Sequence, residues 1–207
     1  MGRPLGPRCR VCRREGEKLF LKGAKCDTRK CPLEKRQYPP GEHSYRKAKY
    51  SEYARRLRET QKVKRYYGVS KTQFERYFEV ASRKSGDTGE NLLIMLERRL
   101  DNIVHLIRWA PNRTTARQLI AHGHIFLNGR RHKSASYLVK AGDTISVVSD
   151  ESIRKNLKAN MEASTRAVPE WIQVDTENMK AVISREPLRS EVSIPVEAGY
   201  IVEFLSR

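Results

Sequence analysis

Residues 96–148 constrain this chain more than any other part of it. Within them, Ala116, Leu119 and Ile120 fall at i, i+3 and i+4, the spacing of one buried helix face. Asn112 or Thr114 can cap the start of that helix, and Gly123 stands where a C′ glycine would stop it. Arg113 and Arg117 are four residues apart and so share a face. If Leu119 and Ile120 anchor the helix elsewhere, the basic face is left free for a partner. Ile125-Phe126-Leu127 reads as a strand. Asn128-Gly129 follows it, and a type I′ hairpin turn favours that pair because both central residues need positive φ. Arg130-Arg131 opens the return strand, with Lys133 close behind. Tyr137-Leu138-Val139, a turn at Ala141-Gly142-Asp143 and Ile145-Ser146-Val147 are expected to complete a small sheet.

A basic helix followed by a basic hairpin tip is a cradle for a phosphate backbone. A plain helix-plus-hairpin core with solvated arginines has the same pattern, so charge at the tip does not decide between them. Charge along the chain says more. The 207 residues carry a net +18. Residues 1–60 hold 18 Lys+Arg against 7 Asp+Glu, residues 61–149 hold 16 against 7, and residues 150–207 hold 8 against 10. The first two thirds therefore suit a polyanion, and the last third does not. No apolar run reaches membrane-spanning length and no signal-peptide core is present. Met1-Gly2 resembles a myristoylation start only superficially, because Gly6 stands where Ser or Thr is wanted. The expectation is a cytosolic protein with no membrane partner, whose acidic third meets another protein through the loop Arg185-Glu186-Pro187-Leu188-Arg189. Glu186, Glu191, Glu197 and Glu203 would each cost Coulomb energy beside phosphate.

All four cysteines lie near the N-terminus, as Cys9-x2-Cys12, thirteen residues, then Cys26-x4-Cys31. Two close pairs with a loop between them match a structural four-thiolate site with no position left for substrate. Arg8, Arg10, Arg13, Arg14 and Lys25 surround them and favour thiolate over thiol. Two disulfides or four free thiols are the other readings, and a cytosolic chain disfavours stable disulfides. Zinc leads as the metal, with an iron–sulfur cluster as the alternative. Leu19, Phe20 and Leu21 are the main apolar residues of this basic arm, so metal would supply much of its folding free energy. His43 reads as a surface or RNA-facing residue beside a complete cysteine set.

Two helices follow. In SYRKAKYSEYARRLRETQKVKRYYG, Tyr53 and Leu57 are i, i+4, and Gly68 ends the pattern. Lys47, Arg55, Arg58 and Lys62 are its candidates for phosphate contact. In the second, Ser70 and Gln73 form a capping box, and Phe74, Tyr77, Phe78 and Ala81 form an i, i+3, i+4, i+7 core stripe. Farther on, Ile153, Leu157 and Met161 mark a short helix, and PEWIQVD and KAVIS read as two strands. SIPVEAGYIVEFLSR closes the chain as another β-prone run that needs burial, in part against the helices of residues 44–95.

The segment RTTARQLIAHGHIFLNGRR resembles the small RNA-binding module typified by bacterial ribosomal protein S-four. Some pseudouridine synthases, tyrosyl-tRNA synthetases and a heat-shock RNA-binding protein share that module. GRPLGPRCRVCRREG, YPPGEH, SEYARRLRETQKVKRYYGVS, LERRLDNIV, PEWIQVD and VEFLSR extend the resemblance, in order, over nearly the whole chain. The chain is thus similar to the S-four family of bacterial small-subunit ribosomal proteins, in its cysteine-containing form. The resemblance implies binding to a five-way junction in the 5′ domain of small-subunit ribosomal RNA early in assembly. It also implies a place where messenger RNA enters, beside small-subunit proteins three and five, and a contribution to decoding accuracy. An enzyme is not expected, and neither is a small-molecule substrate. A pseudouridine synthase would need a catalytic domain of about 100 further residues. There is no GxxxxGK[ST], HExxH or GxSxG motif. A free-standing RNA chaperone or stress-response RNA binder is the alternative.

The expected architecture is α+β in three parts. A metal-pinned basic arm covers residues 1–43. A helical domain covers 44–95 and is closed by 180–207. The RNA-binding module, a helix pair with a small antiparallel sheet, covers 96–179.

Overall fold

The structure is a computed structural model and describes residues 6–42, 49–164 and 166–206. In chain order its regular elements are α1 (Arg8–Glu15), a 3-10 turn (Gly23–Cys26), α2 (Pro32–Lys35), α3 (Glu52–Tyr67), α4 (Lys71–Ser82) and α5 (Thr88–Glu97). Then come α6 (Leu100–Leu106), α7 (Arg113–Ala121), β1 (Ile125–Leu127), β2 (Arg130–Arg131), β3 (Thr144–Val147) and α8 (Glu151–Ala163). The last are β4 (Ile172–Asp175), β5 (Lys180–Ile183), a 3-10 turn (Arg189–Glu191) and α9 (Ala198–Leu205). They form two compact units, Met1–Leu93 with Ile194–Arg207, and Ile94–Ser193.

The first unit is helical. Ser51 caps α3 by accepting the Ala54 N–H, and Gly68 ends it at φ +65°, a conformation that costs glycine nothing. Ser70 accepts the Gln73 N–H at 3.4 Å, but the Gln73 amide donates to the Tyr77 hydroxyl at 3.2 Å. The capping box expected there shows only its forward half. Phe74, Tyr77 and Ala81 are buried as their stripe requires. The closing run departs from expectation. It contains no strand; Ala198–Leu205 is helix α9, packed on α3, with Ile201 fully buried and Tyr53 against Phe204 at 5.7 Å between ring centres. Its Val, Ile and Phe content favours a strand locally, but α3 offers an apolar face and no strand edge. Residues 180–193, also expected to close this part, belong to the second unit.

The second unit is built on a five-stranded antiparallel sheet in the order β2-β1-β3-β5-β4. Ile125, Leu127, Ile145, Val147, Ala181 and Ile183 alternate inward and share one core with Leu100, Ile103, Ala116, Ile120 and Leu157. The helix expected from Ile153, Leu157 and Met161 is α8, and PEWIQVD and KAVIS supply β4 and β5 as expected. Tyr137-Leu138-Val139 is not a strand. It makes a single bridge, Leu138 to Arg99, and accepts or donates through Leu100 N–H to Tyr137 O (2.9 Å) and Val139 N–H to Arg98 O (2.9 Å). Those bonds satisfy backbone groups where α5 ends and α6 begins, so this segment serves a helix junction rather than the sheet.

Candidate nucleic-acid interface

Helix α7 starts on Asn112, whose side chain accepts the Thr115 N–H at 2.9 Å. It ends in two reversed bonds, Gly123 N–H to Ile120 O (2.9 Å) and His124 N–H to Leu119 O (3.1 Å), with Gly123 at φ +78°. This Schellman arrangement turns the chain directly into β1. At the hairpin tip Asn128 and Gly129 take φ +50° and +76°, as a type I′ turn requires. The Asn128 side chain also donates to Asp143 at 2.8 Å and accepts the Thr144 N–H at 2.8 Å, which ties the tip to β3. A Cβ on Gly123 would lie 2.9 Å from Arg131 Cδ, so glycine also gives that arginine its room.

Arg130, Arg131 and Lys133 are exposed at this tip. The Arg131 guanidinium lies 5.8 Å from the centre of the Phe126 ring, within cation–π range. These three are available to phosphate. The α7 face is not free in the way the sequence suggests. Arg113 is buried, and its Nε donates to Asn102 Oδ1 at 2.8 Å. Arg117 reaches Asp101 at 3.6 Å and keeps a partly exposed side chain. Asp101 is itself held by a two-pronged bond from the fully buried Arg99, at 3.0 and 2.7 Å. The acceptors that draw the arginines inward sit on α6, and sequence reading assigned Asp101 and Asn102 no role; their only signal was a place in LERRLDNIV.

On α3 the candidates also divide. Arg55 is exposed. Arg58 lies 3.6 Å from Glu15, to which Arg65 also bonds. Burial pushes the Glu15 carboxyl up, against the opposing pull of Arg65 and Arg58. Lys62 is buried, with its Nζ 2.9 Å from Glu59, 3.2 Å from Glu17 and 3.4 Å from Pro195 O. Burial lowers its ammonium pKa, but Glu59 and Glu17 outweigh that and the net displacement is upward. Lys62 is a charged post inside the first unit rather than a surface cation. Lys47 and His43 lie outside the described residues.

The four cysteines border one small cavity, and none is in a disulfide. As the side chains stand, the described residues include no group of three or more His, Cys, Asp or Glu that could hold a metal ion. Leu19 and Leu33 are buried, Lys18 pairs with Glu34 at 2.5 Å, and Arg13 donates to Tyr38 O at 3.0 Å with its guanidinium 4.8 Å from the Tyr38 ring centre. The flanking arginines do not set the thiol chemistry of Cys12 and Cys26. Burial raises both pKa values, and the charges of neighbouring cysteines raise them further. Four cysteine sulfurs bordering one cavity fit a thiophilic metal by donor type.

Of the four glutamates singled out in the last third, Glu186, Glu191 and Glu203 are engaged by arginines of this chain. Glu203 pairs with Arg56, Glu186 with Arg98 at 2.5 Å, and Glu191 with Arg185 through bonds of 2.7 and 2.6 Å. Leu188, in the loop expected to meet a protein, is more than half exposed at 57%. No helix among the described residues is long and apolar enough to cross a membrane.

Comparison with known proteins places these features in a family. Residues 3–97 match the ribosomal protein S4/S9 N-terminal domain, and residues 98–145 match the S4 domain. Over 207 residues, all of both chains, the protein is 52% identical to small ribosomal subunit protein uS4A of Symbiobacterium thermophilum. It is 48% identical over 207 residues to small ribosomal subunit protein uS4 of Dictyoglomus turgidum, and 49% over 208 residues to that of Halothermothrix orenii, again over the whole of each chain. A helix–hairpin unit with a basic tip, a helical unit beside it in sequence and end-to-end identity near one half lead to one conclusion: the chain belongs to the small ribosomal subunit protein uS4 family.

Proposed function

We propose that this protein is a structural constituent of the small ribosomal subunit that binds small-subunit ribosomal RNA in its 5′ domain and helps nucleate assembly. It is a cytoplasmic ribosomal protein and not an enzyme. The observation that carries this reading is the end-to-end identity to proteins named small ribosomal subunit protein uS4. The exposed tip of Arg130, Arg131 and Lys133 supports it, because it offers cations to a phosphate backbone from a rigid turn. The finer assignments rest on the resemblance of the sequence motifs. They are a position where messenger RNA enters, neighbours among small-subunit proteins three and five, and a role in decoding accuracy. Leu188 and its loop are the part of the acidic third proposed to meet protein five.

Cys9, Cys12, Cys26 and Cys31 would hold one zinc ion, with iron–sulfur as the alternative. What supports this is their common cavity and their all-thiol donor set. Binding would require the thiols to move towards one another. The metal would supply folding free energy to the arm and no reaction chemistry.

Sedimentation of native extract tests the main reading. Nearly all of the protein should run with small subunits. A substantial free pool bound to other RNA would favour a free-standing RNA chaperone.

A further inference from the structure

We propose that Asn128, at the hairpin tip, is a site of spontaneous covalent modification, deamidation, and that Asp143 holds the reaction off. Of the seven asparagines in the chain, Asn128 alone is followed by glycine. The others precede Leu, Ile, Arg or Met, whose side chains crowd the next backbone nitrogen. Glycine has no Cβ to do so. A Cβ built on Gly129 would meet nothing within 4 Å, and both residues are exposed. The nitrogen, and the water that the reaction consumes, therefore have open access.

The step needs no enzyme and no oxidant. The Gly129 amide nitrogen attacks Asn128 Cγ, forms a C–N bond and loses its proton. The side-chain nitrogen takes up a proton and leaves as ammonia, which gives a cyclic imide. Water then adds to either imide carbonyl and breaks one C–N bond, leaving aspartate or isoaspartate. In sum one water is consumed and one ammonia released.

The fold opposes the first step. The Asn128 side chain donates to Asp143 Oδ1 at 2.8 Å and accepts the Thr144 N–H at 2.8 Å. Its backbone N–H also donates to Thr144 O at 2.8 Å. Ring closure turns the side-chain amide towards Gly129 and breaks both side-chain bonds. Asp143 is itself fixed, because its Oδ2 accepts the Lys140 N–H at 2.8 Å. After reaction, an oxygen replaces the Asn128 nitrogen opposite Asp143. A donor has become a second carboxylate, the two charges repel, and the tie between the tip and β3 opens. The new charge also stands beside Arg130, Arg131 and Lys133. The resulting loss of tip affinity for RNA rests on the RNA-binding reading; the modification itself does not.

The test incubates the intact purified chain, warm and at neutral pH, in buffer and in concentrated urea. Peptide mass spectrometry reads deamidation and isoaspartate at Asn128. The folded chain should react about tenfold more slowly than the chain in urea. Asp143→Ala should raise the folded rate about tenfold, since a hydrogen bond to a charged group is lost. The other six asparagines should stay intact. Asp143→Asn, which keeps an acceptor for the Asn128 amide, should fall between. Hydrogen exchange at β1 and β3 checks that the variants keep their sheet. Equal rates in buffer and urea overturn the proposal, as does a folded Asp143→Ala chain that reacts no faster than the parent. Absence of reaction at Asn128 in urea also overturns it. Asn128→Asp stands for the product. It should bind a 5′-domain ribosomal RNA fragment about fivefold more weakly than the parent at low salt. Equal binding by the two would overturn the loss of tip affinity. Failure of the parent to bind would overturn the RNA reading and leave the mass result standing.

Discussion

His105 shows how a single side chain can be committed by its surroundings. Its Nδ1–H donates to Ala110 O at 3.1 Å, and its Nε2 faces the Arg166 guanidinium at 3.0 Å. Burial, with Arg113 and Arg166 adding repulsion, lowers its pKa to about 3. The imidazole thus accepts from Arg166 and stays neutral. An unfolded histidine takes up a proton below about 6.5, and the folded one does so only near pH 3. Between those values the unfolded state binds more protons, so stability is complete above about pH 6.5 and falls as the pH drops towards 3. From pH 7 to pH 5 this one group should remove about 2 kcal/mol. Urea unfolding at both pH values should show a His105→Asn variant losing less over that interval than the parent. At Gly123, Ala would have to adopt φ +78° and press on Arg131. Gly123→Ala should lower stability by about 1–2 kcal/mol, measured by chemical denaturation.

At the scale of elements, the hairpin and α7 should separate cleanly by mutation. Arg130→Ala and Arg131→Ala remove exposed cations. Each should reduce the slope of log affinity against log salt for a 5′-domain RNA fragment by roughly 0.7–0.9 and leave thermal stability unchanged. Arg113→Ala removes a buried, charged hydrogen bond to Asn102. It should cost about 1.5–3 kcal/mol of stability and act on RNA binding only through folding. If Arg113→Ala altered the salt slope at full stability, the side chain would have to turn outward on RNA. The hairpin was legible because Asn128-Gly129 dictates its own φ values. The fate of Arg113 was not, because its acceptor is eleven residues away on another helix.

For the molecule as a whole, the two units should respond separately to damage. Removing residues 198–207 strips α9 from α3 and uncovers the site of Ile201. Loss of that buried side chain alone costs about 1.5–3 kcal/mol. Hydrogen exchange should rise across α3 while β1, β3 and β5 keep their protection. The cysteine arm provides a second test. Native protein should carry about one zinc per chain, and Cys26→Ser should lose the metal and loosen residues 8–35 alone. Metal analysis finding neither zinc nor iron under reducing conditions would remove the site.

The sequence by itself determined whatever depends on a residue's own backbone preference or on its near neighbours. The I′ turn at Asn128-Gly129, the stops at Gly68 and Gly123, the cap at Asn112 and the stripes of α4, α7 and α8 follow from φ sterics and helical spacing. Family motifs extended that reading to function. The tertiary structure alone decided which cations are surface and which are structural. Lys62 finds Glu17 forty-five residues away, and Arg65 finds Glu15 fifty residues away. It also made a helix of the β-prone tail, because α3 presents that tail with an apolar face. The physical reason is common to both. A charge or an apolar side chain takes its state from the groups beside it, and those come from distant parts of the chain.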